Sequence, residues 1–179
     1  DLSAFYFDIR KDTLYCDPKN SKKRNDCTVV LNIILESLIK WFAPILSFTT
    51  EEIYTLINRN KKSVHLEKFI EIPDNYSNKK LEEKWIELKK IRDICNISIE
   101  AKRASKEIGS SLEADLTINL GEKIFKFVED VNFSELCITS LAKIKKNQSE
   151  EISVITKKAE GTKCPVCWKI NKSLCERHG

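Results

Sequence analysis

The last sixteen residues of the chain hold the side chains whose types and spacing could bind a metal ion. Cys164 and Cys167 form a CxxC pair, and Cys175 and His178 form a CxxH pair after seven intervening residues. Each pair can present two ligands on the same side of a tight turn, and thiolate and imidazole are ligands that zinc prefers. The spacing therefore predicts one zinc ion bound by Cys164, Cys167, Cys175 and His178.

Four protein ligands would close a tetrahedral shell and leave no position for a water, so the predicted zinc is structural and not hydrolytic. Few apolar residues lie between Thr162 and Gly179, and metal binding would supply the folding energy of this segment. A thioredoxin-type redox CxxC and a coincidental cluster are the alternatives. The scattered thiols are predicted to be buried small hydrophobes; they are Cys16, Cys27, Cys95 and Cys137.

Positive charge is concentrated near the same end. Residues 143–179 contain nine Lys and Arg against four Glu, so this tail carries the whole net charge of +4 on a near-neutral body. Trp168 lies in sequence close to Lys163 and Lys169, and an aromatic ring among cations suits stacking on an unpaired base. Packing of Trp168 against the metal segment, and a merely solvated lysine surface, are the alternatives.

A second basic set follows a long helical segment and could track a phosphate backbone, although solvation alone produces the same pattern. Its candidate members are Arg92, Lys102, Arg103 and Lys106. No sequence pattern indicates a catalytic site: there is no glycine-rich phosphate loop and no Ser-His-Asp arrangement. His65 has no nucleophile pattern near it.

Apolar residues at spacings of three and four predict the helices that must position these groups. The predicted helices cover residues 2–15, about 21–41, 49–58 and about 78–109. Thr49 and Glu52 form a capping-box pattern, with Phe48 and Ile53 as a hydrophobic staple, and Gly109 is predicted to cap the last helix.

After Gly109 the periodicity changes to strict alternation, which predicts a strand over residues 112–120. A short helix at 124–128 and strands at 136–144 and 152–156 are predicted to follow. The prediction is a mainly α chain in three parts: a helical bundle (1–109), a small α/β junction (110–158) and a zinc knuckle (159–179).

The composition limits the class of protein. No apolar run reaches the roughly 18–20 residues needed to cross a bilayer, and no secretory leader is present. These features predict a cytoplasmic location, and the absence of Met predicts a piece of a longer polypeptide.

Four segments together resemble bacterial isoleucyl-tRNA synthetases. They are LSAFYFDIRKDTLYCD (2–17), WFAPILSFTTEEIY (41–54), IGSSLEADLTI (108–118) and KAEGTKCPVCW (158–168). The second is shared loosely with related class I synthetases, whereas CPVCW after KAEG is more specific. One departure is that the family's knuckle usually ends in a second cysteine pair after a longer loop, where this chain has Cys175 and His178 after a short one.

The resemblance implies a class I synthetase anticodon-binding bundle, followed by the junction and the knuckle. It implies isoleucine tRNA as the partner, bound at its anticodon stem and loop. By the same analogy Arg92, Lys102 and Arg103 are candidates for the stem backbone, and Trp168 for a loop base. The catalytic and editing domains of the same polypeptide would bind ATP and complete a monomeric ligase, and this chain alone is expected not to aminoacylate. A free-standing zinc-dependent nucleic-acid module and a purely structural interaction domain are the alternative functions.

Overall fold

The computed structural model describes residues 2–59 and 62–178. Its contacts divide the chain into two compact units: Asp1–Cys16 with Asn78–Gly179, and Asp17–Ser77. The first unit thus joins the amino-terminal segment to everything that follows residue 77. The three-part division predicted from the sequence, with boundaries after residues 109 and 158, stays a prediction.

The unit of residues 17–77 is a helical pair. Helix α2 (Lys22–Phe42) begins where Ser21 accepts a hydrogen bond from the Arg24 amide at 3.1 Å, and α3 (Ser47–Ile57) follows. Single 3₁₀ turns at Val64–Leu66 and Asp74–Tyr76 complete it. Its small core contains Ile39, Ala43, Tyr54 and Val64.

The predicted end of α2 near Pro44 is confirmed, but the predicted start of α3 is wrong. The chain re-enters a helix at Ser47, with Leu46 at the cap, so Thr49 lies inside the helix. The predicted staple is also wrong, because Phe48 is 93% exposed. Glu51 lies beside Glu52 of the predicted capping box. It accepts hydrogen bonds from Ser63 Oγ and the Val64 amide, both at 2.9 Å.

The other unit begins with a π-helical segment, Leu2–Phe7, that continues into α1 (Asp8–Cys16). Its long helix is α4 (Lys79–Ala104), capped by Asn78. The prediction that Gly109 caps α4 is wrong. The helix ends five residues earlier, and Lys106 provides the left-handed residue with a φ of 60°.

A three-stranded mixed sheet packs on α4. The central strand β1 (Ala114–Gly121) pairs in parallel with β2 (Leu141–Asn147) and antiparallel with β3 (Ser153–Lys158). Two short helices connect β1 to β2, namely α5 (Glu122–Val128) and α6 (Phe133–Leu136). The predicted strand over 136–144 is wrong at its start, because Asn132 caps α6 and residues 133–136 are helical.

The strand predicted over 112–120 begins two residues later than predicted, because Ser111–Glu113 form a 3₁₀ turn. From Ala114 on, the predicted alternation is confirmed, since Ala114, Leu116, Ile118 and Leu120 are fully buried. These side chains share one core with residues of α1 and α4, which are Ile9, Leu88, Ile91, Cys95 and Ile99. The buried face of β1 therefore packs against α4. Cys27, Cys95 and Cys137 are buried as predicted, whereas Cys16 is only half-buried.

The knuckle follows β3. It contains a hairpin of two short strands, β4 (Thr162–Lys163) and β5 (Ile170–Asn171), which pair antiparallel. One buried hydroxyl fixes it to the sheet: Ser140 Oγ accepts from the Ile170 amide at 2.6 Å and donates to the Leu112 carbonyl. Among the described residues, no helix is long and apolar enough to cross a membrane.

Candidate metal centre

The first ligand pair is held by the hairpin turn between β4 and β5. The Cys164 amide donates to the Lys169 carbonyl at 2.9 Å, and the Trp168 amide donates to the Cys164 carbonyl at 3.0 Å. These bonds close the turn, and Cys164 and Cys167 both lie buried beneath it. A CxxC pair in such a turn directs both sulfurs to one side.

The second ligand pair lies in the turn at residues 175–178, where the His178 amide donates to the Cys175 carbonyl at 3.1 Å. One ligand atom from each of Cys164, Cys167, Cys175 and His178 falls in a group whose members all lie within 4.8 Å of one another. The structure thus brings together all four residues that the sequence predicted as ligands.

The distances inside this cluster fit a tetrahedral zinc site. Bonds of about 2.3 Å to sulfur and 2.0–2.1 Å to nitrogen imply edges of about 3.8 Å between two sulfurs and about 3.6 Å between sulfur and nitrogen. Cys167 Sγ lies 3.8 Å from Cys175 Sγ, and His178 Nδ1 lies 3.6 Å from Cys164 Sγ and 3.4 Å from Cys175 Sγ. These three distances therefore match the edges of a zinc tetrahedron, and all four ligand atoms lie within 4.8 Å of one another.

Backbone amides favour the metal-binding form of two of the thiols. Hydrogen bonding from the Cys167 amide, with a further contribution from the Val166 amide, lowers the pKa of Cys164 to about 6. The Arg177 amide lowers the pKa of Cys175, whereas burial raises that of Cys167. Because the thiolate is the ligand, the turns favour coordination by Cys164 and Cys175.

His178 contacts a residue from near the other end of the chain. His178 Nε2 lies 2.8 Å from the backbone carbonyl of Cys16, so Nε2–H donates and Nδ1 faces the sulfurs. This hydrogen bond to the Cys16 carbonyl is also the main reason that the pKa of His178 is raised. Sequence reasoning missed Cys16 in this role, because a backbone carbonyl has no signature in the residue type.

Trp168 occupies an unusual position next to the ligands. Its φ of 64° is in the left-handed region, and its side chain is 59% exposed. The Lys163 ammonium lies 5.4 Å from the centre of its ring. Lys169 is half-buried, so the structure gives an exposed indole with one cation, Lys163, against its ring and a second, partly buried cation next to it in the chain.

The basic candidate residues on and just after α4 differ in their exposure and in the hydrogen bonds and ion pairs that they make within the chain. Arg92 donates to the Leu136 carbonyl at 2.9 Å and pairs with Asp8, and only 13% of its side chain is exposed. Lys102 pairs with Glu107 at 2.8 Å and Arg103 with Glu100 at 2.6 Å. Lys106 is exposed, in an open cleft at the end of α4.

The chain contains a helical unit and an α/β unit that ends in a candidate metal knuckle, and comparison with known proteins identifies its class. Residues 1–118 match the family described as the anticodon-binding domain of tRNA ligases. The chain belongs to this family.

The relatives that match nearly the whole chain are more particular. The isoleucine–tRNA ligase of Pelagibacter ubique (strain HTCC1062) is 68% identical over 178 residues, which is 99% of this chain and 20% of that protein. The isoleucine–tRNA ligases of Rhodopseudomonas palustris (strain ATCC BAA-98 / CGA009) and Bartonella henselae (strain ATCC 49882 / DSM 28221 / CCUG 30454 / Houston 1) are each 38% identical over 97% of this chain. The chain spans about a fifth of the length of these relatives.

Proposed function

We propose that this chain is the anticodon stem-loop binding part of an isoleucine–tRNA ligase, a cytoplasmic monomer that activates isoleucine with ATP and charges the isoleucine tRNA. In this proposal the chain is not catalytic itself. Amino acid activation, ATP binding and editing belong to other domains of the same polypeptide. The names of the family and of the relatives support the partner, and the surface of the knuckle supports the mode of binding.

The observation that carries the proposal is the backbone of Trp168. A left-handed conformation costs a non-glycine residue about 1–2 kcal/mol, and strained residues of this kind cluster at functional sites. More than half of the Trp168 side chain remains in solvent, so burial does little to offset that cost. Base stacking on the open ring, worth about 1–3 kcal/mol per base, accounts for a tryptophan at this position.

The zinc ion is proposed to be structural. When bound, it would supply the bonds that order the knuckle, for which the segment has few apolar contacts. Cys164, Cys167, Cys175 and His178 would hold it. Its role in RNA binding is then indirect, because the turn that holds two ligands also holds Trp168 against Lys163.

The cations near the end of α4 are proposed to contact phosphates. The side chains of Lys102 and Arg103 are 36% and 47% exposed, and exposed ion pairs contribute only about 0–1 kcal/mol. Both can therefore exchange a glutamate for a phosphate at little cost. Lys106 joins them, whereas Arg92 would first have to give up the Leu136 carbonyl, so we place it last among the candidates.

A binding titration tests this function. The zinc-loaded chain is titrated with the isoleucine tRNA anticodon stem-loop, a scrambled-loop control and duplex DNA, each at two salt concentrations. We expect preference for the cognate loop, weaker binding at high salt and loss of the preference on chelation. Equal binding to DNA would favour a general zinc-dependent nucleic-acid module. No salt-dependent binding to any ligand would favour a structural interaction domain.

A further inference from the structure

We infer that the carboxyl end of α1 is part of the metal centre: the Cys16 carbonyl positions the His178 imidazole, and Asp12 positions the turn that carries it. The inference rests on the metal site proposed above. It adds residues that lie more than 160 positions away in the sequence from the ligand they would position.

The first contact selects which nitrogen of His178 binds the metal. Cys16 is the last residue of α1, so its carbonyl lies at the negative end of the helix dipole. It accepts from Nε2 at 2.8 Å. A histidine ligand commonly donates its second ring N–H in this way, which fixes both the tautomer and the ring plane. Nδ1 is then left free to coordinate among the sulfurs.

The second contact holds the residue beside the ligand. One terminal nitrogen of Arg177 lies 2.9 Å and 2.8 Å from the two carboxylate oxygens of Asp12. The two side chains are only 28% and 22% exposed, so water screens this pair less than it screens a surface pair. Because Arg177 precedes His178, the ion pair limits the movement of the ligand relative to α1.

A third contact reaches the other half of the knuckle. Cys16 Sγ lies 4.0 Å from the carbonyl of Val166, which is between Cys164 and Cys167. A thiol is a weak donor, so this contact contributes little free energy, but it places the end of α1 against the first ligand turn. The end of α1 thus contacts the turns of both ligand pairs.

Helix α1 can act as a fixed support because it is itself anchored on the body of the same unit. Ile9 and Thr13 are buried, and Arg10 pairs with Glu135 of α6 at 2.7 Å. Metal binding and the docking of α1 are consequently linked: whatever loosens the end of α1 lowers metal affinity, and bound metal stabilises the end of α1.

The test compares Asp12→Asn with Arg10→Gln in the 179-residue chain. Both remove one ion pair of α1, but only the first lies against the knuckle. Zinc affinity is measured by competition with a chelator, and cobalt(II) absorption reports the ligand geometry. We expect Asp12→Asn to weaken zinc binding about tenfold or more and to broaden the cobalt spectrum, with a smaller effect of Arg10→Gln. The charge exchange Asp12→Arg with Arg177→Asp is expected to restore affinity.

Nitrogen NMR of the zinc-loaded wild-type chain tests the Cys16 contact directly. We expect the His178 proton on Nε2, with slowed exchange, and the metal on Nδ1. A proton on Nδ1, an unchanged zinc affinity in Asp12→Asn, or an equal loss in Arg10→Gln would overturn the inference. If wild-type chain takes up no zinc, the proposed metal site fails as well. If the wild-type chain binds zinc and the variants bind it with the same affinity, only the inference about α1 fails.

Discussion

The ammonium of Lys163 lies 5.4 Å from the centre of the Trp168 indole, across the turn that contains Cys164 and Cys167. The pair is close in space because Trp168 takes a left-handed backbone conformation and its amide donates back to the Cys164 carbonyl. The same turn therefore organises the predicted metal ligands and the predicted stacking surface. Each role can be separated from the other by substitution.

Trp168→Gly is expected to have opposite effects on the two roles. Glycine adopts φ near 64° without strain, so zinc affinity and the thermal stability of the knuckle should be unchanged or higher. Affinity for the anticodon stem-loop should fall by about 1–3 kcal/mol, the value of one stacked base. Titrations of RNA and of zinc on the same preparation measure both. Trp168→Phe is the matched control and should retain part of the RNA affinity; a joint loss of zinc and RNA affinity in Trp168→Gly would instead show that the indole packs the knuckle.

Gly161→Ala is expected to disrupt the knuckle hairpin. Gly161 has a φ of 129°, and a β-carbon there would lie 2.1 Å from the carbonyl oxygen of Asn171 on the opposite strand. Since neither backbone can move aside without breaking the β4–β5 pairing, the variant should lose zinc affinity and the hydrogen-exchange protection of β4 and β5. Gly109→Ala is the control, because the nearest atom there is a flexible Glu113 oxygen at 3.4 Å. Equal protection in the two variants would contradict this account.

Lys106→Gln should weaken RNA binding mainly at low salt. If Lys106 contacts one phosphate, its removal lowers the slope of log affinity against log salt by about one and affects cognate and scrambled loops alike. Lys126→Gln removes the same charge from α5, where Lys126 pairs with Glu122 at 2.9 Å, and serves as the control. The slope is measured for both variants over several salt concentrations. If log affinity falls with log salt at the same slope in both variants, Lys106 does not contact the RNA.

Tyr54 is expected to make the unit of residues 17–77 sensitive to alkali. Burial raises the pKa of its phenol to about 12, and a hydrogen bond with Glu67 adds to this effect. The unfolded value is about 10, so the folded unit holds the proton more tightly. The resulting stability is complete below about pH 10 and is lost as the pH rises from about 10 through 12.

Ultraviolet titration of the tyrosines and urea unfolding at pH 9 and pH 11 measure this effect. One tyrosine should ionise later than the others, and Tyr54→Phe should abolish that late step. Tyr76→Phe removes an exposed phenol and should leave it in place. A single titration near pH 10 for all four tyrosines would show that Tyr54 is accessible to water.

Several elements could be predicted because their signals lie within a few residues of chain. The alternation of Leu116, Ile118 and Leu120 predicted β1, because side chains on a strand alternate between two faces whatever the strand packs against. Ser21 at the start of α2 and the break near Pro44 are similarly local. The predicted starts of α3 and β2 were wrong. Helix α3 begins at Ser47, before the predicted cap Thr49, and α6, which Asn132 caps, still includes Leu136, where a strand was predicted to begin.

The cations show a second kind of failure. By residue type Arg92, Lys102 and Arg103 are equivalent, and the sequence predicted all three as candidate phosphate contacts. The structure distinguishes them, since Arg92 is hydrogen-bonded to Leu136 and mostly buried, whereas the other two hold exposed glutamates. Partners distant in the sequence decide which charge remains available, and a single sequence does not contain that information.

The sequence by itself determined the periodic elements and the grouping of four candidate ligands, because four such residues within fifteen and side chains at regular spacing are properties of local chain geometry. Only the tertiary structure decided that the end of α1 reaches the knuckle, that the Cys16 carbonyl orients His178, and that Asp12 holds Arg177. These contacts join backbone and side-chain atoms more than 160 residues apart. They exist because α1, α4 and β1 bury their apolar faces in one core, which brings the two ends of the chain together.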